Sequence, residues 1–252
     1  MVFIGITGPI GHGKSTFADA IADVEPSTLH LESGAIISEV VDALHRCSPI
    51  PTATDGLVPI NVWLSNLPSI VKHTVHVHCS VAQIVIHPHD LENDPLEYQK
   101  LFEHLALVQK NPGLAKQAIS AENKSTYRPI LQWIGGYLVR KIDPNIWYNE
   151  IVRRAQEAGQ QGVKVVVAGG VRYPIEADTI RMAGGKVIRI YRPGQGEQDA
   201  SDPTERERQN IQADVTVVNN GTLEELADVA KTVVTDALAS SLKAEYHARY
   251  TA

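Results

Sequence analysis

The segment Gly8 to Thr16, GPIGHGKST, constrains this chain more than any other because it directly follows the apolar run Val2 to Ile6. It fits the pattern G-x-x-x-x-G-K-[ST], in which a glycine-rich loop joins a strand to a helix and holds a phosphate. Glycine is needed wherever a Cβ would block close approach of the backbone or forbid a positive φ. The segment therefore predicts an α/β protein whose first strand ends in a phosphate-binding loop.

The residues of this loop have distinct expected roles toward a bound nucleotide. Backbone N–H groups between Gly11 and Ser15 can converge on a phosphate, and the helix that begins near Lys14 adds its positive end. Lys14 would reach the β- and γ-phosphates, and the Ser15 hydroxyl would bind Mg²⁺. The predicted residues for ATP and Mg²⁺ are Gly8, Gly11, His12, Gly13, Lys14, Ser15, Thr16 and, from a later segment, Arg192.

Composition suits a globular chain of one domain, or of one domain with a lid. The 252 residues are 43% hydrophobic and 21% charged, and no apolar run approaches the about 20 residues of a membrane span. The formal net charge of −6 argues against broad binding to nucleic acid. The two cysteines are too few for a disulfide framework, and the N-terminus has no charged leader, so we expect a cytoplasmic protein.

Alternating strand and helix patterns predict a P-loop fold, with a parallel sheet covered by helices on both faces. VKVVVA, at Val163–Ala168, is typical of a strand buried on both sides. Thr222, with Glu225 three residues later, predicts a capped start for the last helix. The core should comprise about residues 1–45 and 160–240, the helical acceptor-binding insertion about 46–159, and the lid about 193–209.

A histidine-rich stretch, HTVHVHCSVAQIVIHPHD, raises the question of a metal site. Val75, Val77 and Cys79 alternate with polar residues, which favours a strand followed by a turn. The spacing matches no standard structural zinc motif, so we favour a polar strand face over a zinc site. The side chains with zinc-ligand chemistry in this stretch are His76, His78, Cys79, His87, His89 and Asp90.

The size of the chain and a late arginine-rich segment favour a small-molecule kinase among proteins with such a loop. Phosphoryl transfer needs positive groups around the transferred phosphate and exclusion of water. A solvated helical face is the alternative for the ERER portion of that segment. The arginines that flank or occupy the predicted lid are Arg189, Arg192, Arg206 and Arg208.

The segment KSTYRPILQWIGGYLVRKIDPNIW places basic and amide side chains near one side of a helix, at spacings of four or eight residues. Beside aromatic rings, such groups could hold a monophosphate and a base, while an ordinary surface helix is the alternative. The polar residues are Lys124, Arg128, Gln132 and Arg140, and the aromatic residues are Trp133, Tyr137 and Trp147.

This segment, with VVVAGGVRYPIEADTIRMAGGKVIRIYRP and ADVTVVNNGTLEEL, resembles the deoxynucleoside monophosphate kinases of bacteriophages. The likeness covers about the first thirty residues and most of 124–230. It implies transfer of the ATP γ-phosphate to a deoxynucleoside 5′-monophosphate, in the host cytoplasm if a phage encodes the chain. It places Arg128, Gln132, Arg140 and Trp147 at the family's acceptor-side motif and Arg172 at its Val-Arg segment. Taken with the loop and the helix pattern, the predicted catalytic residues are Lys14, Arg128, Arg140 and Arg172. The predicted substrate-binding residues are Glu32, Lys124, Arg128, Gln132, Arg140 and Trp147.

The chain departs from that family at Gly170, where the family usually has an aspartate before Val-Arg. If that acid holds Mg²⁺ through water, Glu32, Glu176 or Asp178 must substitute. Three alternatives stay open: a dephospho-CoA kinase, a kinase of a modified base in DNA, and a nucleotide-binding regulator without turnover. Residues 47–110 could shape the acceptor pocket or a homodimer interface.

Overall fold

A computed structural model describes residues 1–47, 60–79, 98–141, 143–195 and 203–250 of the protein. The chain forms two compact units. The sheet unit combines Met1–Ser33 with Ile151–Ala252, and the helical unit is Gly34–Glu150.

The strands of the sheet unit are β1 Val2–Thr7, β2 Leu29–Glu32, β3 Val165–Gly169, β4 Lys186–Tyr191 and β5 Val215–Val218. They form one parallel sheet in the spatial order β2–β3–β1–β4–β5. The central strands β1 and β3 are apolar and buried along their whole length, because both of their faces are covered. This confirms the predicted α/β fold with a parallel sheet.

Parallel pairing brings the carboxyl ends of the strands to one edge of the sheet. Glu32 of β2 pairs in register with Gly169 of β3, and Thr7 of β1 with Arg189 of β4. Ligands of open α/β sheets bind outside the carboxyl ends of the strands. The fold therefore directs attention to the loops that leave this edge.

Helices account for most of the remaining described chain. Their bounds are α1 Lys14–Val24, α2 Ser33–Cys47, α3 Ile60–Cys79, α4 Gln99–Lys110, α5 Arg128–Lys141, α6 Ile146–Gln160, α7 Pro174–Met182, α8 Pro203–Gln209 and α9 Leu223–Tyr250. In the sheet unit, Phe17 and Ile21 of α1 and Val234 of α9 share one core with Ile4 and Ile188 of the sheet. The apolar face of α1 is therefore buried.

The last helix begins at the predicted cap. The Thr222 N–H donates to Oε2 of Glu225 (2.8 Å), and the Glu225 N–H donates to Oγ1 of Thr222 (3.2 Å). This reciprocal pair satisfies two of the backbone donors that a helix leaves open at its start. It confirms the capping box read from the sequence.

Helix α3 overturns the strand predicted in the histidine-rich stretch. The chain is helical through Cys79, although Val75, Val77 and Cys79 alternate with polar residues. Leu67, Val71 and Val75 are all buried, and their spacing of four residues puts them on one face of a helix. The strand prediction is wrong because this longer helical period outweighs a short alternation.

Aromatic rings fill much of the core of the helical unit. Trp133 stacks on Tyr137 with 5.1 Å between ring centroids, and Tyr98 lies 6.1 and 5.9 Å from them. Buried aromatic pairs contribute through their large apolar area and their ring geometry. This cluster holds the start of α4 against α5.

The helical unit also buries a pair of histidines. Nε2 of His45 lies 3.1 Å from Nε2 of His104, and the two rings stack beside Tyr127. Burial lowers the pKa of His45 to about 4. Burial, together with neighbouring His45, lowers the pKa of His104 to about 3. Both rings are therefore neutral at pH 7, and one donates its Nε2–H to the other.

We expect the free energy of unfolding to fall as the pH drops below about 6.5, the ordinary pKa of histidine. Between about pH 6 and pH 4 the unfolded chain binds up to two protons that the folded histidine pair does not bind. The free energy of unfolding should therefore fall by up to about 2.7 kcal/mol per pH unit. Urea unfolding at several pH values measures this slope. Replacing His45 and His104 with Phe should flatten it, whereas His73→Phe on the exposed surface of α3 should not. An unchanged slope in the double variant would contradict the assignment.

Some predictions lie outside the described residues. These concern residues 48–59 and the part of the histidine-rich stretch that contains His87, His89 and Asp90. Within the described ranges, no group of three or more His, Cys, Asp or Glu side chains is arranged to hold a metal ion. In the same ranges, no helix combines the length and apolarity needed to cross a membrane.

Candidate nucleotide-binding site

The loop between β1 and α1 leaves the carboxyl edge of the sheet in a shape that requires glycine. Gly8 and Gly13 have φ angles of 139° and 96°. A Cβ on Gly8 would lie 2.2 Å from the carbonyl oxygen of Ile190, and one on Gly13 would lie 2.6 Å from Nδ2 of Asn219. The loop is thus held tightly against the end of β4 and the turn after β5.

The first turn of α1 directly follows this loop and has no side-chain cap. Its N-cap residue, Gly13, has no side chain to satisfy the first N–H groups, and no acidic residue lies in the first turn. The first N–H groups of a helix have no acceptor within the helix itself, and the positive end of a helix favours an anion. Nζ of Lys14 donates to the carbonyl oxygen of Pro9 (2.7 Å), which places the ammonium across the loop. This arrangement of N–H groups and ammonium is suited to binding the phosphates of a nucleotide.

The turn after β3 is tied to the end of β1. Oγ1 of Thr7 donates to the carbonyl oxygen of Val171 (2.8 Å), and the Val171 N–H donates to the carbonyl oxygen of Ile6 (3.1 Å). Gly170 in this turn has a φ of 71°, and a Cβ there would meet nothing within 4 Å. A Cβ at this position therefore meets no other atom, and Asp and Asn are the residues that best tolerate left-handed backbone.

Two of the three acids considered as substitutes at this edge differ in their surroundings. A Cβ on Gly169 would lie 2.9 Å from Oε1 of Glu32, so this half-exposed carboxylate stands at the carboxyl end of β3. Asp178 forms an ion pair with Arg181 (2.9 Å) on the surface of α7. Glu32, whose Oε1 lies 3.7 Å from Nε2 of His30, therefore stands at the carboxyl edge, whereas Asp178 lies on the surface of α7.

The third acid, Glu176, has a structural role. Its Oε2 accepts the N–H groups of Arg172 (2.7 Å) and Tyr173 (3.1 Å) at the start of α7. Burial raises the pKa of Glu176 to about 7, although these two N–H groups and the charges of Arg172 and Arg208 favour the ionised form. We assign Glu176 to holding the backbone that carries Arg172, whose side chain is exposed.

The four predicted lid arginines divide into buried and exposed pairs. Arg189 is half-buried and donates from Nη2 to the carbonyl oxygen of Ile211, and Arg208 is buried. Arg192 and Arg206 are exposed. Residues 196–202 of the predicted lid lie outside the part of the chain that the structure describes.

Except for Glu32, which ends β2 in the sheet unit, the predicted acceptor residues belong to the helical unit. Nζ of Lys124 donates to the carbonyl oxygen of Gly34 (3.3 Å). The polar acceptor candidates of this unit are exposed: Lys124, Arg128, Gln132 and Arg140.

The aromatic residues predicted beside the base occupy a different environment. Trp147 is 5% exposed, and its Nε1–H donates to the carbonyl oxygen of Gly135 (3.0 Å). Trp133 and Tyr137 are also buried. The three rings are therefore packed inside the helical unit, and base stacking by Trp147 stays a prediction.

Asn219 is a site residue that the sequence patterns did not indicate. It is buried after β5, and its Nδ2 donates to the carbonyl oxygen of His12 (3.0 Å). The Asn219 N–H donates to the carbonyl oxygen of Tyr191 (2.7 Å). The available signal was its position directly after a parallel strand, where side chains reach the carboxyl edge.

The glycine-rich loop after the central strand, together with the five-stranded parallel sheet, defines a P-loop fold of the kinase type. The profile of the deoxynucleotide monophosphate kinase family matches residues 59–229, which is more than half of the chain. The chain belongs to this family, as the sequence resemblance predicted. Because the match begins after the phosphate loop, the loop geometry and the family match are separate observations.

A viral relative supports the same grouping. The chain is 34% identical over 116 residues to a protein of Acanthamoeba polyphaga mimivirus named "Putative deoxynucleotide monophosphate kinase". The similarity spans 40% of this chain and 56% of the relative, so the chain matches about half of that protein's length.

Proposed function

We propose that the protein transfers the γ-phosphate of ATP to a deoxynucleoside 5′-monophosphate and forms the corresponding diphosphate. The observation that carries this proposal is the phosphate loop, which has the geometry of a phosphate site in a member of the deoxynucleotide monophosphate kinase family. The open first turn of α1 and the Lys14 ammonium add positive potential at the same place.

The donor side of the reaction uses residues of the sheet unit. N–H groups from Gly11 to Thr16 hold the β- and γ-phosphates, and Lys14 neutralises charge that develops on the bridging oxygen. The exposed side chains of Arg172 and Arg192 stand at the carboxyl edge and supply further positive charge. Such preorganised donors accelerate transfer because they need no rearrangement in the transition state.

The acceptor side uses residues of the helical unit. Arg128 and Arg140 neutralise the 5′-phosphate, while Lys124 and Gln132 complete its polar surroundings. An oxygen of this phosphate attacks the γ-phosphorus as the bond to the β–γ bridging oxygen breaks, and ADP leaves. A phosphate monoester is largely dianionic at pH 7, so the step needs no general base.

A magnesium ion fits the oxygen chemistry of the carboxyl edge. The exposed Ser15 hydroxyl and the half-exposed Glu32 carboxylate are the hard oxygen ligands that Mg²⁺ prefers. When bound, Mg²⁺ neutralises phosphate charge. Glu32 is our candidate for the role of the acid absent at Gly170.

The test is ADP release from ATP–Mg²⁺ with each deoxy- and ribonucleoside monophosphate as acceptor. Dephospho-CoA and DNA with a modified base serve as the acceptors of the two rival kinases. Turnover restricted to one or more deoxynucleoside monophosphates supports the proposal. ATP binding without turnover on any acceptor would instead identify a nucleotide-binding regulator, the alternative that Gly170 raises.

Replacing Arg128 with Gln should raise KM for the deoxynucleotide about ten- to hundredfold, because a charge-assisted bond to phosphate contributes about 1.5–3 kcal/mol. KM for ATP should stay within about twofold of wild type. Arg153→Gln, which removes a surface ion pair with Glu157, is the matched control and should change neither constant. Equal increases in both KM values would contradict an acceptor-side role.

Replacing Gly170 with Asp should lower the Mg²⁺ concentration needed for half-maximal activity. A Cβ at this position meets nothing within 4 Å, and Asp tolerates left-handed backbone better than most residues, so the free energy of unfolding should fall by no more than about 1–2 kcal/mol. Gly170→Asn provides the same shape without the charge and should leave the Mg²⁺ requirement unchanged. A loss of activity in the Asp variant alone would indicate that Glu32 already fills this role.

A further inference from the structure

His12 lies inside the phosphate loop, yet its side chain turns into the protein. The residue is fully buried. Its Nδ1 accepts the backbone N–H of Arg192 at 2.8 Å, across 180 positions of sequence. A ring nitrogen that accepts a hydrogen bond carries no proton, so the imidazole is neutral with its proton on Nε2.

The same residue has two further contacts with the carboxyl edge. Its ring centroid lies 5.7 Å from that of Tyr191, the last residue of β4. Its carbonyl oxygen accepts a hydrogen bond from Nδ2 of Asn219, and the backbone N–H of Asn219 donates to the carbonyl oxygen of Tyr191. His12 thus joins the phosphate loop to the residues that follow both β4 and β5.

We propose that His12 is a positioning residue for the donor nucleotide, which acts through Nδ1 by fixing the backbone of Arg192 relative to the phosphate loop. The inference rests on the proposed ATP site and deepens it. The loop N–H groups and the exposed Arg192 guanidinium would bind the same phosphates. The hydrogen bond from the Arg192 N–H to His12 sets the distance between these two sets of donors. Glycine, alanine or leucine at position 12 offers no side-chain acceptor for the Arg192 N–H.

Two substitutions separate the acceptor from the mere filling of space. Asn places Oδ1 close to the position of Nδ1 and keeps an acceptor, whereas Leu has similar bulk and none. Titration with a fluorescent ATP analogue should show about tenfold weaker binding for His12→Leu, because the partly buried Arg192 N–H then lacks its acceptor. His12→Asn should stay within about threefold of wild type, and KM for the deoxynucleotide should be unchanged in both. The control is His73→Leu, which makes the same His-to-Leu change on the exposed surface of α3 and should leave ATP binding unchanged.

A spectroscopic measurement on the wild-type protein tests the same bond without relying on the Leu variant folding. Long-range ¹H–¹⁵N spectra should assign His12 to the Nε2–H tautomer, with the His12→Asn spectrum identifying its signals. A proton on Nδ1, wild-type ATP affinity in the Leu variant, or equal losses in the Leu and Asn variants would each overturn the inference.

The inference and the proposed function can fail separately. If the wild type binds ATP but phosphorylates no acceptor, the proposed kinase activity fails and the ATP affinities still decide the role of His12. If the wild type binds no ATP, both are overturned.

Discussion

Replacing Lys14 with Ala is expected to lower kcat for phosphoryl transfer by about 10²–10³-fold, the usual cost of removing one preorganised group that stabilises transition-state charge. Nζ of Lys14 lies across the phosphate loop, bonded to the carbonyl oxygen of Pro9. The negative charge that accumulates on the β–γ bridging oxygen would then have no ammonium beside it. The side chain lies outside the buried core, so the free energy of unfolding should change by less than about 1 kcal/mol.

Initial rates of ADP release at saturating ATP and deoxynucleotide measure this effect. Lys14→Met keeps the apolar stem and removes the charge, so it should be as inactive as Lys14→Ala. Lys110→Ala, at the exposed end of α4, is the matched control and should retain full activity. Activity within about threefold of wild type in Lys14→Met would exclude the assigned role.

Replacing Gly8 with Ala should destabilise the protein by about 3–5 kcal/mol and abolish ATP binding. The new Cβ would lie 2.2 Å from the carbonyl oxygen of Ile190, an atom of the β4 backbone that cannot rotate away. The φ of 139° at this position adds the strain of a conformation that is essentially restricted to glycine. Since a typical domain is stable by about 5–15 kcal/mol, this one methyl group removes much of the stability.

Gly162 offers a matched control for the backbone strain without the clash. Its φ is 92°, and a Cβ there would meet nothing within 4 Å. Gly162→Ala should therefore cost only about 1–2 kcal/mol and leave ATP binding unchanged. Urea unfolding of the two variants gives the comparison. Equal destabilisation would mean that backbone strain, rather than contact with Ile190, dominates at Gly8.

Several parts of the fold could be predicted because their causes are local. The apolar run of β3, the amphipathic face of α1 and the Thr222–Glu225 cap each depend on residues within a few positions of one another. The prediction failed at Val75–Cys79, where a short alternation competed with a longer helical period. The burial that decides between two such periods comes from the tertiary structure.

The candidate site also has one part that the sequence predicts and other parts that require the structure. The glycine-rich pattern identified the phosphate loop, since its chemistry lies within nine consecutive residues. The surroundings of the candidate acids required the structure, because Oε2 of Glu176 accepts the Arg172 N–H at the start of α7 while Glu32 stands at the end of β3. The buried positions of Trp133, Tyr137 and Trp147 also required it, since periodicity does not distinguish an aromatic residue of the core from one beside a ligand.

By itself, the sequence determined that this protein has an α/β fold, a phosphate loop after its first strand and membership of a kinase family. Tertiary structure alone decided that His12 bonds to Arg192 and that His45 bonds to His104. The physical reason is the separation along the chain over which each interaction acts. Backbone propensity, capping and loop conformation act between near neighbours in the chain, whereas each of these side-chain bonds joins distant residues that only folding brings into contact.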